Sequence, residues 1–399
     1  MRSVPFRFVT VAFVLASLAS VAGCGSMKNE QKIKAKQEWN SARANVLYSL
    51  AKDQYATGNF DKSRQTVDEA LGMDPQNVGL RILSAKLNIE QGRLENAEGD
   101  LKLARATAPK NAEADYLTGV IYQRWQKPQA AFDYYRAASE KAPSELAYVM
   151  ARAEMLVAMD QQQQALVLLQ EKVTYFEHSA VIRDAVGQLL VQQKKYKEGV
   201  DMLRQASILA TDDMSIREHL ALAMFYAGQY REASDALTRL TKKDGYDDRA
   251  DLFAALGECQ LNLGQYRDAR STFETATQLS PSSAGMWLSH AKAAMQLNDI
   301  KRADVSLKKA IALAPENSEA HLLMGYMRLR QNDLAAALPA FKKAAALDQN
   351  DTVSLCMVGY ALERMGKPEQ AVQYYSKALR LKPNDEMATK FMASVNLAE

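Results

Sequence analysis

The chain repeats itself with a period of 34 residues, and this period constrains its fold more than any other feature. Six prolines mark the period, the later three with an offset of two residues: Pro75, Pro109, Pro143, Pro281, Pro315 and Pro383. Proline has a fixed φ and no backbone N–H, so a helix usually ends before it. The spacing therefore predicts one helix end at the same point of each repeat.

A frame that places each proline at position 32 divides the chain into ten windows. They cover residues 44–77, 78–111, 112–145, 146–179, 180–213, 214–247, 250–283, 284–317, 318–351 and 352–385. One adjustment is needed, a two-residue insertion at Asp248 and Arg249. We therefore expect six repeats in residues 44–247 and four in residues 248–385.

Four positions that did not define the frame agree with it. Positions 8 and 20 hold only Gly, Ala or Ser, and position 27 is Ala except for Lys172 and Leu240. Position 24 is always large and apolar: Val67, Leu101, Tyr135, Leu169, Leu203, Leu237, Phe273, Leu307, Phe341 and Tyr375. This pattern resembles the tetratricopeptide repeat (TPR), which has small residues at 8, 20 and 27 and a large residue at 24.

The resemblance implies an all-α fold, a right-handed superhelical solenoid of about ten helix-turn-helix repeats. Helix A of each repeat is expected up to position ~14 and helix B from position ~18, with small residues where the two helices cross closely. The ends of such a stack need a cover. We expect residues 386–399 to form a capping helix. Residues 24–43 are expected to form a tether and an extension of the first helix, with Trp39 packed on the first repeat.

Residues 146–247 depart from the pattern. Position 32 becomes Glu177, Thr211 and Gly245, and a run of glutamines follows Asp160 in place of the usual turn. Elsewhere the turns carry Gly or Asn, which tolerate a positive φ. Two interpretations of the irregular region remain open, a local change of superhelical pitch or a hinge, and drift at positions that tolerate it.

The sequence offers no candidate catalytic, cofactor or metal site. His178, His219, His290 and His321 are scattered, without the close His and Cys pairs of zinc sites. Cys259 and Cys356 lie about three repeats apart, beyond the ~7 Å reach of a disulfide. No GxGxxG, Walker or GxSxG motif is present. We therefore expect no enzyme activity and no cofactor, and the balance of 50 basic and 47 acidic residues argues against nucleic-acid binding.

Binding residues are expected on helix A, which in TPR proteins lines the concave surface through positions 2, 5, 9, 12 and 13. The resemblance assigns nine candidates: Tyr48, Lys52, Tyr55, Lys86, Lys292, Tyr326, Arg330, Tyr360 and Arg364. The last five combine aromatic and cationic side chains on adjacent repeats, which suits an extended peptide or acidic or carbohydrate groups. An ordinary solvated face is the alternative. No window has Lys at 5 with Asn at 9, so a carboxylate clamp is not expected.

Residues 1–23 have the layout of an export signal. Arg2 and Arg7 precede an apolar run over residues 8–22, which is shorter than the ~20 residues of a membrane-spanning helix. The end of this segment resembles the lipobox of bacterial lipoproteins: Val21, Ala22, Gly23 and Cys24. The resemblance implies cleavage before Cys24 and acylation of its sulfur, and several acyl chains hold a protein firmly on a bilayer. Gly25 after the cysteine implies sorting to the outer membrane, facing the periplasm.

Two functions of different classes fit these features. The first is a membrane-anchored, non-enzymatic scaffold that binds segments of other envelope proteins and serves a secretion, pilus or polysaccharide-export machine. The alternative keeps the anchor and makes the concave groove a receptor for a glycan or cell-wall strand. Recovery of a protein complex or of carbohydrate alone from envelope extracts would separate them.

Overall fold

The described residues form 21 helices and no strand. The computed structural model describes the backbone of residues 9–396 and the side chains of residues 29–395. The chain divides into two compact units, residues 1–177 and residues 178–399. Val21, Ala22, Gly23 and Cys24 fall in α1, outside the residues whose side chains are described.

The helices of the first unit are α1 (Val9–Ala56), α2 (Phe60–Met73), α3 (Val78–Glu90), α4 (Leu94–Thr107), α5 (Ala112–Arg124), α6 (Pro128–Lys141), α7 (Leu146–Ala158) and α8 (Gln162–Val173). Those of the second unit are α9 (Ala180–Gln192), α10 (Tyr196–Leu209), α11 (Met214–Tyr226), α12 (Tyr230–Leu240), α13 (Ala250–Asn262), α14 (Tyr266–Leu279), α15 (Ala284–Gln296), α16 (Ile300–Leu313), α17 (Ser318–Arg330), α18 (Leu334–Leu347), α19 (Thr352–Arg364), α20 (Pro368–Leu381) and α21 (Glu386–Asn396). The odd-numbered helices α1–α19 are the A helices, and the even-numbered ones are the B helices.

The structure confirms the helix-turn-helix repeats that the window frame predicts. From the second window on, each A helix begins at position 1, and every B helix begins at position 17, one residue earlier than expected. Many A helices begin after a side-chain cap at position 34 of the preceding window. Asn77, Asn111 and Asn317 each accept a hydrogen bond from the backbone N–H three residues on. Such caps satisfy N–H groups that have no partner within the helix.

The turn from helix A to helix B has the same backbone conformation in all ten windows. Position 15 lies in the left-handed region each time: Gly58, Gly92, Gln126, Asp160, Lys194, Gly228, Gly264, Asn298, Asn332 and Gly366, with φ between 56° and 77°. The glutamine run after Asp160 therefore leaves this turn unchanged, although its sequence differs from the usual one.

The core lies between the A and B helices, as the small and large positions predict. All ten residues at position 24 are at most 2% exposed. At position 20, Ser63 is fully buried and its hydroxyl donates a hydrogen bond to the carbonyl of Ala51, at position 8, over 2.8 Å. Only small side chains allow the backbones to approach this closely.

Two B helices, α8 and α12, are shorter than the rest. They have 12 and 11 residues, whereas the others have 14. These are the two windows in which position 27 is Lys172 or Leu240 instead of alanine. The division between the compact units follows α8, at residues 177 and 178, whereas the insertion at Asp248 and Arg249 lies inside the second unit.

The two ends of the array differ in how they are covered. At the C-terminal end, α21 packs Phe391 and Met392 on the core of the last repeat, which confirms the capping helix. At the other end the expectation for Trp39 is wrong, because its side chain is 68% exposed. Among the described residues, no helix has the length and the apolar character needed to cross a bilayer.

Candidate functional site

The structure brings three of the nine candidate residues together on the A helices of the second unit. Lys292 on α15, with Tyr326 and Arg330 on α17, lines a groove with a volume of about 420 Å³. Met295, Leu323 and Leu329 supply its apolar surface. The combination of apolar wall, aromatic ring and two cations suits a peptide segment that carries a carboxylate.

The three candidate side chains of this groove already have partners. Lys292 Nζ lies 2.8 Å from a carboxylate oxygen of Glu319, and Arg330 donates a hydrogen bond to the carbonyl of Met295 over 2.7 Å. The ring of Tyr326 meets Phe341 edge-on, with centroids 5.5 Å apart, and its burial raises the pKa of the phenol. Arg330 thus adds a hydrogen bond to the carbonyl of Met295, which also accepts from the backbone N–H of Asn298. Lys292 is held only by a surface ion pair with Glu319.

Tyr360 and Arg364 lie one repeat further on, at α19. The ring of Tyr360 is half-buried, with its centroid 5.5 Å from that of Phe391 in the capping helix. Arg364 is exposed. Neither residue lines the groove between α15 and α17.

The four candidates of the first unit lie on α1 and α3. Tyr48 is half-buried and its ring packs against Gly79, while Tyr55 is half-buried beside Phe60. Burial and the nearby Glu90 raise the pKa of Tyr55. Lys52 is exposed, and Lys86 Nζ lies 2.5 Å from a carboxylate oxygen of Glu113.

The partners of these cations recur at fixed spacings that the sequence analysis missed. Lys86 with Glu113 and Lys292 with Glu319 are each 27 residues apart, and each pair joins position 9 to position 2 of the next window. The arginine at position 13 donates to a carbonyl 35 residues earlier in two windows, from Arg124 to Ile89 and from Arg330 to Met295. Opposite charges 27 residues apart are a sequence signal for the pairs of Lys86 and Lys292. The arginines bond to backbone carbonyls, which leave no such signal.

The histidines and described cysteines lie apart from this groove. His290 Nδ1 lies 2.8 Å from Ser306 Oγ, and His321 Nε2 lies 2.9 Å from the carbonyl oxygen of Pro315. Cys259 and Cys356 are buried free thiols, and burial raises the pKa of each to about 12. Over the described part of the chain, no cluster of three or more His, Cys, Asp or Glu residues could hold a metal ion.

Family models match two segments of the chain. The tetratricopeptide repeat model matches residues 54–121, and the model of the C-terminal domain of cilia and flagella-associated protein 70 matches residues 213–399. No curated protein is significantly similar to the sequence.

Several solved structures are similar to parts of the chain. The crystal structure of MamA is 21% identical, with a TM-score of 0.39, and the match covers 41% of this chain and 95% of that one. The C-terminal part of a TPR protein from Cytophaga hutchinsonii is 16% identical, with a TM-score of 0.49 and coverages of 60% and 98%. YrrB, described as a TPR protein with an unusual peptide-binding site, is 15% identical, with a TM-score of 0.35 and coverages of 56% and 96%.

The matched segments coincide with the repeated helix pairs of the structure. The chain is an all-helical protein that carries tetratricopeptide repeats.

Proposed function

We propose that this protein is a non-enzymatic scaffold, anchored by lipid in the bacterial envelope, that binds segments of other envelope proteins on its A helices. In this proposal it serves the assembly of a secretion, pilus or polysaccharide-export machine. The groove lined by Lys292, Tyr326 and Arg330 is the observation that carries the binding function.

Lys292 is the residue of this groove best suited to exchange partners. Its side chain is 36% exposed and its ion pair with Glu319 lies at the surface, where such pairs contribute only ~0–1 kcal/mol. A carboxylate of a bound segment can therefore replace Glu319 at small cost. The ring of Tyr326 and the side chain of Leu323 offer apolar contact beside it.

Features of α1 support an anchor near the membrane. Six residues at alternating spacings of four and three share one face of this helix: Lys32, Lys36, Trp39, Arg43, Val46 and Leu50. Trp39 and Val46 are 68% and 70% exposed. Cations with exposed tryptophan and aliphatic side chains suit the headgroup region of a bilayer. Acylation of Cys24 would hold this face close to it, on the periplasmic side of the outer membrane.

The test of the groove is partner capture from envelope extracts with the immobilised chain. The double variant Lys292→Glu, Tyr326→Ala should lose a defined protein complex that the unaltered chain recovers. Lys309→Glu on α16 is the matched control, because Lys309 is exposed but does not line the groove. Equal recovery by both variants contradicts the proposal, and recovery of carbohydrate alone favours the glycan receptor.

The test of the anchor is the substitution Cys24→Ser in cells. It should move the protein from the membrane fraction to the soluble fraction, since the acyl chains would be lost. Ser26→Ala, two residues away, should leave the protein in the membrane fraction. Membrane retention of Cys24→Ser would show that another feature holds the chain there.

A further inference from the structure

A larger groove lies on the B-helix side of the second unit, between α10 and α12. Its volume is about 790 Å³, and α11 forms its floor. Leu220 and Met224 of α11 and Ala236 and Leu240 of α12 supply apolar surface. Ile208, which follows the lining residue Ser207, is 69% exposed. A groove of this volume with an apolar lining and a few polar groups is typical of a ligand-binding site.

The equivalent groove in the first unit, between α4 and α6, is filled by the chain's own side chains. The ring of Tyr134, at position 23, stacks on Tyr122, at position 11, with centroids 5.2 Å apart. The guanidinium of Arg105, at position 28 of the preceding window, lies 4.8 Å from the centroid of Tyr134. In the second unit these three positions are Ala236, Met224 and Ser207. The groove is therefore open because an aromatic ring and a cation are missing from it.

The charges at the rim of the open groove are predominantly positive. Arg239, Lys242 and Lys243 line it, and all three are exposed. Two other charged lining residues have partners nearby, since Arg217 lies 3.8 Å from Asp212 and Glu232 lies 4.0 Å from Arg204. Three cations thus face one remaining carboxylate, that of Asp235.

We propose that the groove between α10 and α12 is a second binding site, for a peptide segment that presents an aromatic side chain flanked by acidic residues. The aromatic ring occupies the space that Tyr134 fills in the first unit. The acidic residues pair with Arg239, Lys242 and Lys243. This site lies between the B helices α10 and α12, with α11 as its floor. It depends neither on the groove between α15 and α17 nor on the lipid anchor.

The third window suggests a substitution that should fill the groove between α10 and α12. Ala236→Tyr places at position 23 the residue found in the third window. Ala340→Tyr is the matched control, with the same change at the same position of the ninth window. Both alanines are half-buried, so the two variants carry a similar risk to folding, which circular dichroism checks.

The probe is a fluorescent pentapeptide of sequence DEFDE. Its binding to the full chain with Cys24→Ser is measured by fluorescence anisotropy. We expect saturable binding that weakens by about tenfold or more in Ala236→Tyr and in Arg239→Glu, Lys242→Glu, and is unchanged in Ala340→Tyr. The peptide DEADE should bind less tightly because it lacks the ring, and KKFKK because its charges are reversed. Binding should also weaken at high salt.

Three outcomes would overturn the proposal. They are no binding of DEFDE, equal binding of DEFDE and KKFKK, and equal loss of binding in Ala236→Tyr and Ala340→Tyr. The substitutions Lys292→Glu and Tyr326→Ala should leave the binding of DEFDE unchanged, which separates this site from the A-helix groove.

Discussion

In nine of the ten windows, the choice between glycine and alanine at position 8 follows the residue at position 24; the exception is Gly187, which is paired with Leu203. The four windows with an aromatic residue at 24 all have glycine at 8, in Gly119, Gly257, Gly325 and Gly359. All five windows with alanine at 8 have Val or Leu at 24. A Cβ added at Gly257 would lie 2.7 Å from Cζ of Phe273, so the two residues share one fixed volume.

Gly257→Ala should therefore destabilise the second unit by about 1–3 kcal/mol, because the new methyl group overpacks the contact with Phe273. Adding Phe273→Leu should recover part of this loss of stability. Positions 8 and 24 are then Ala and Leu, as in the native pair of Ala291 and Leu307 in the eighth window. Denaturant unfolding of the two single variants and the double variant measures the coupling. Additive effects would show that the two positions do not compete for space.

Gly99→Ala is the matched control for that cycle. Gly99 lies within α4, and a Cβ there would meet no atom within 4 Å. The substitution should stabilise the protein by about 0.5–1 kcal/mol, since alanine loses less backbone entropy than glycine in a helix.

Tyrosine at position 24 also selects its partner at position 12. The phenol of Tyr135 donates to Gln123 over 2.5 Å, and that of Tyr375 donates to Glu363 over 2.8 Å. Where position 24 is Phe273 or Phe341, position 12 is leucine. A buried hydroxyl needs a hydrogen-bond acceptor and a phenyl ring does not. The choice of tyrosine or phenylalanine at position 24 therefore goes with the choice of a polar or an apolar residue at position 12.

His219 should make the stability of the second unit depend on pH. Its Nδ1 lies 2.8 Å from Asp184 Oδ1, which joins α9 to α11. This hydrogen bond, together with the charges of Asp184, Glu218 and Asp213, raises the pKa of His219 against the opposing effect of burial. The stabilisation is complete below the ordinary pKa of ~6.5 and is lost as pH rises through the raised value.

Thermal unfolding of the wild type and of His219→Gln should be followed from below pH ~6.5 to above the raised pKa of His219. The melting temperature of the wild type should exceed that of the variant by an amount that decreases as pH rises. His321→Gln is the control, since His321 bonds only to a backbone carbonyl at the surface. A constant difference between the wild type and His219→Gln would contradict a charged pair with Asp184.

Among the structural elements, the turn between helices A and B has the strictest backbone requirement. Five windows place a residue other than glycine in the left-handed conformation at position 15, and the φ of Lys194 is 61°. This conformation costs a residue with a Cβ atom ~1–2 kcal/mol, and Asn tolerates it better than Lys or Gln does. The turn is therefore imposed by the packing of the two helices on either side of it.

Lys194→Gly should stabilise the second unit by about 0.5–1 kcal/mol, because relief of the strained φ exceeds the entropy that glycine loses on folding. Asn332→Gly should stabilise the protein less, because asparagine tolerates the left-handed conformation better than lysine does. Midpoints of chemical unfolding for the two variants test the order. A loss of stability in Lys194→Gly would mean that the lysine side chain contributes more than its backbone costs.

At the scale of the whole molecule, each of the two units contains core clusters of its own. The core clusters around Phe273, Leu307 and Tyr375 lie entirely within residues 178–399, and those around Val67, Leu101 and Tyr135 lie entirely within residues 1–177. In repeat proteins, stability is a sum over repeats and their neighbours, so a part with its own core can fold alone.

A fragment of residues 178–399 should therefore keep the helix content per residue of the intact chain and unfold cooperatively. Circular dichroism and size-exclusion chromatography of the fragment test this expectation. A fragment that is aggregated or largely unfolded would show that the second unit needs the first.

The repeat frame predicted most of the fold because the residues that define each helix pair recur at fixed positions of every window. Proline at 32, small residues at 8 and 20 and the large residue at 24 located the starts of the B helices to within one residue. The candidate groove was predicted only in part, since Lys292, Tyr326 and Arg330 share a groove that Tyr360 and Arg364 do not line. The engagement of Lys86 with Glu113 and of Arg330 with Met295 depends on neighbouring repeats, which single-window comparison does not examine.

The number of helix pairs, the residues at which the helices start and the residues buried between them follow from the amino-acid order alone, because each depends on a motif that recurs every 34 residues. Three-dimensional packing settled which surfaces stay open. Trp39 stays exposed although the repeat frame suggested that it packs on the first repeat. The groove between α10 and α12 depends on three small or flexible side chains from three helices. Empty space is set jointly by residues far apart in the chain, so it becomes visible only once the helices are packed.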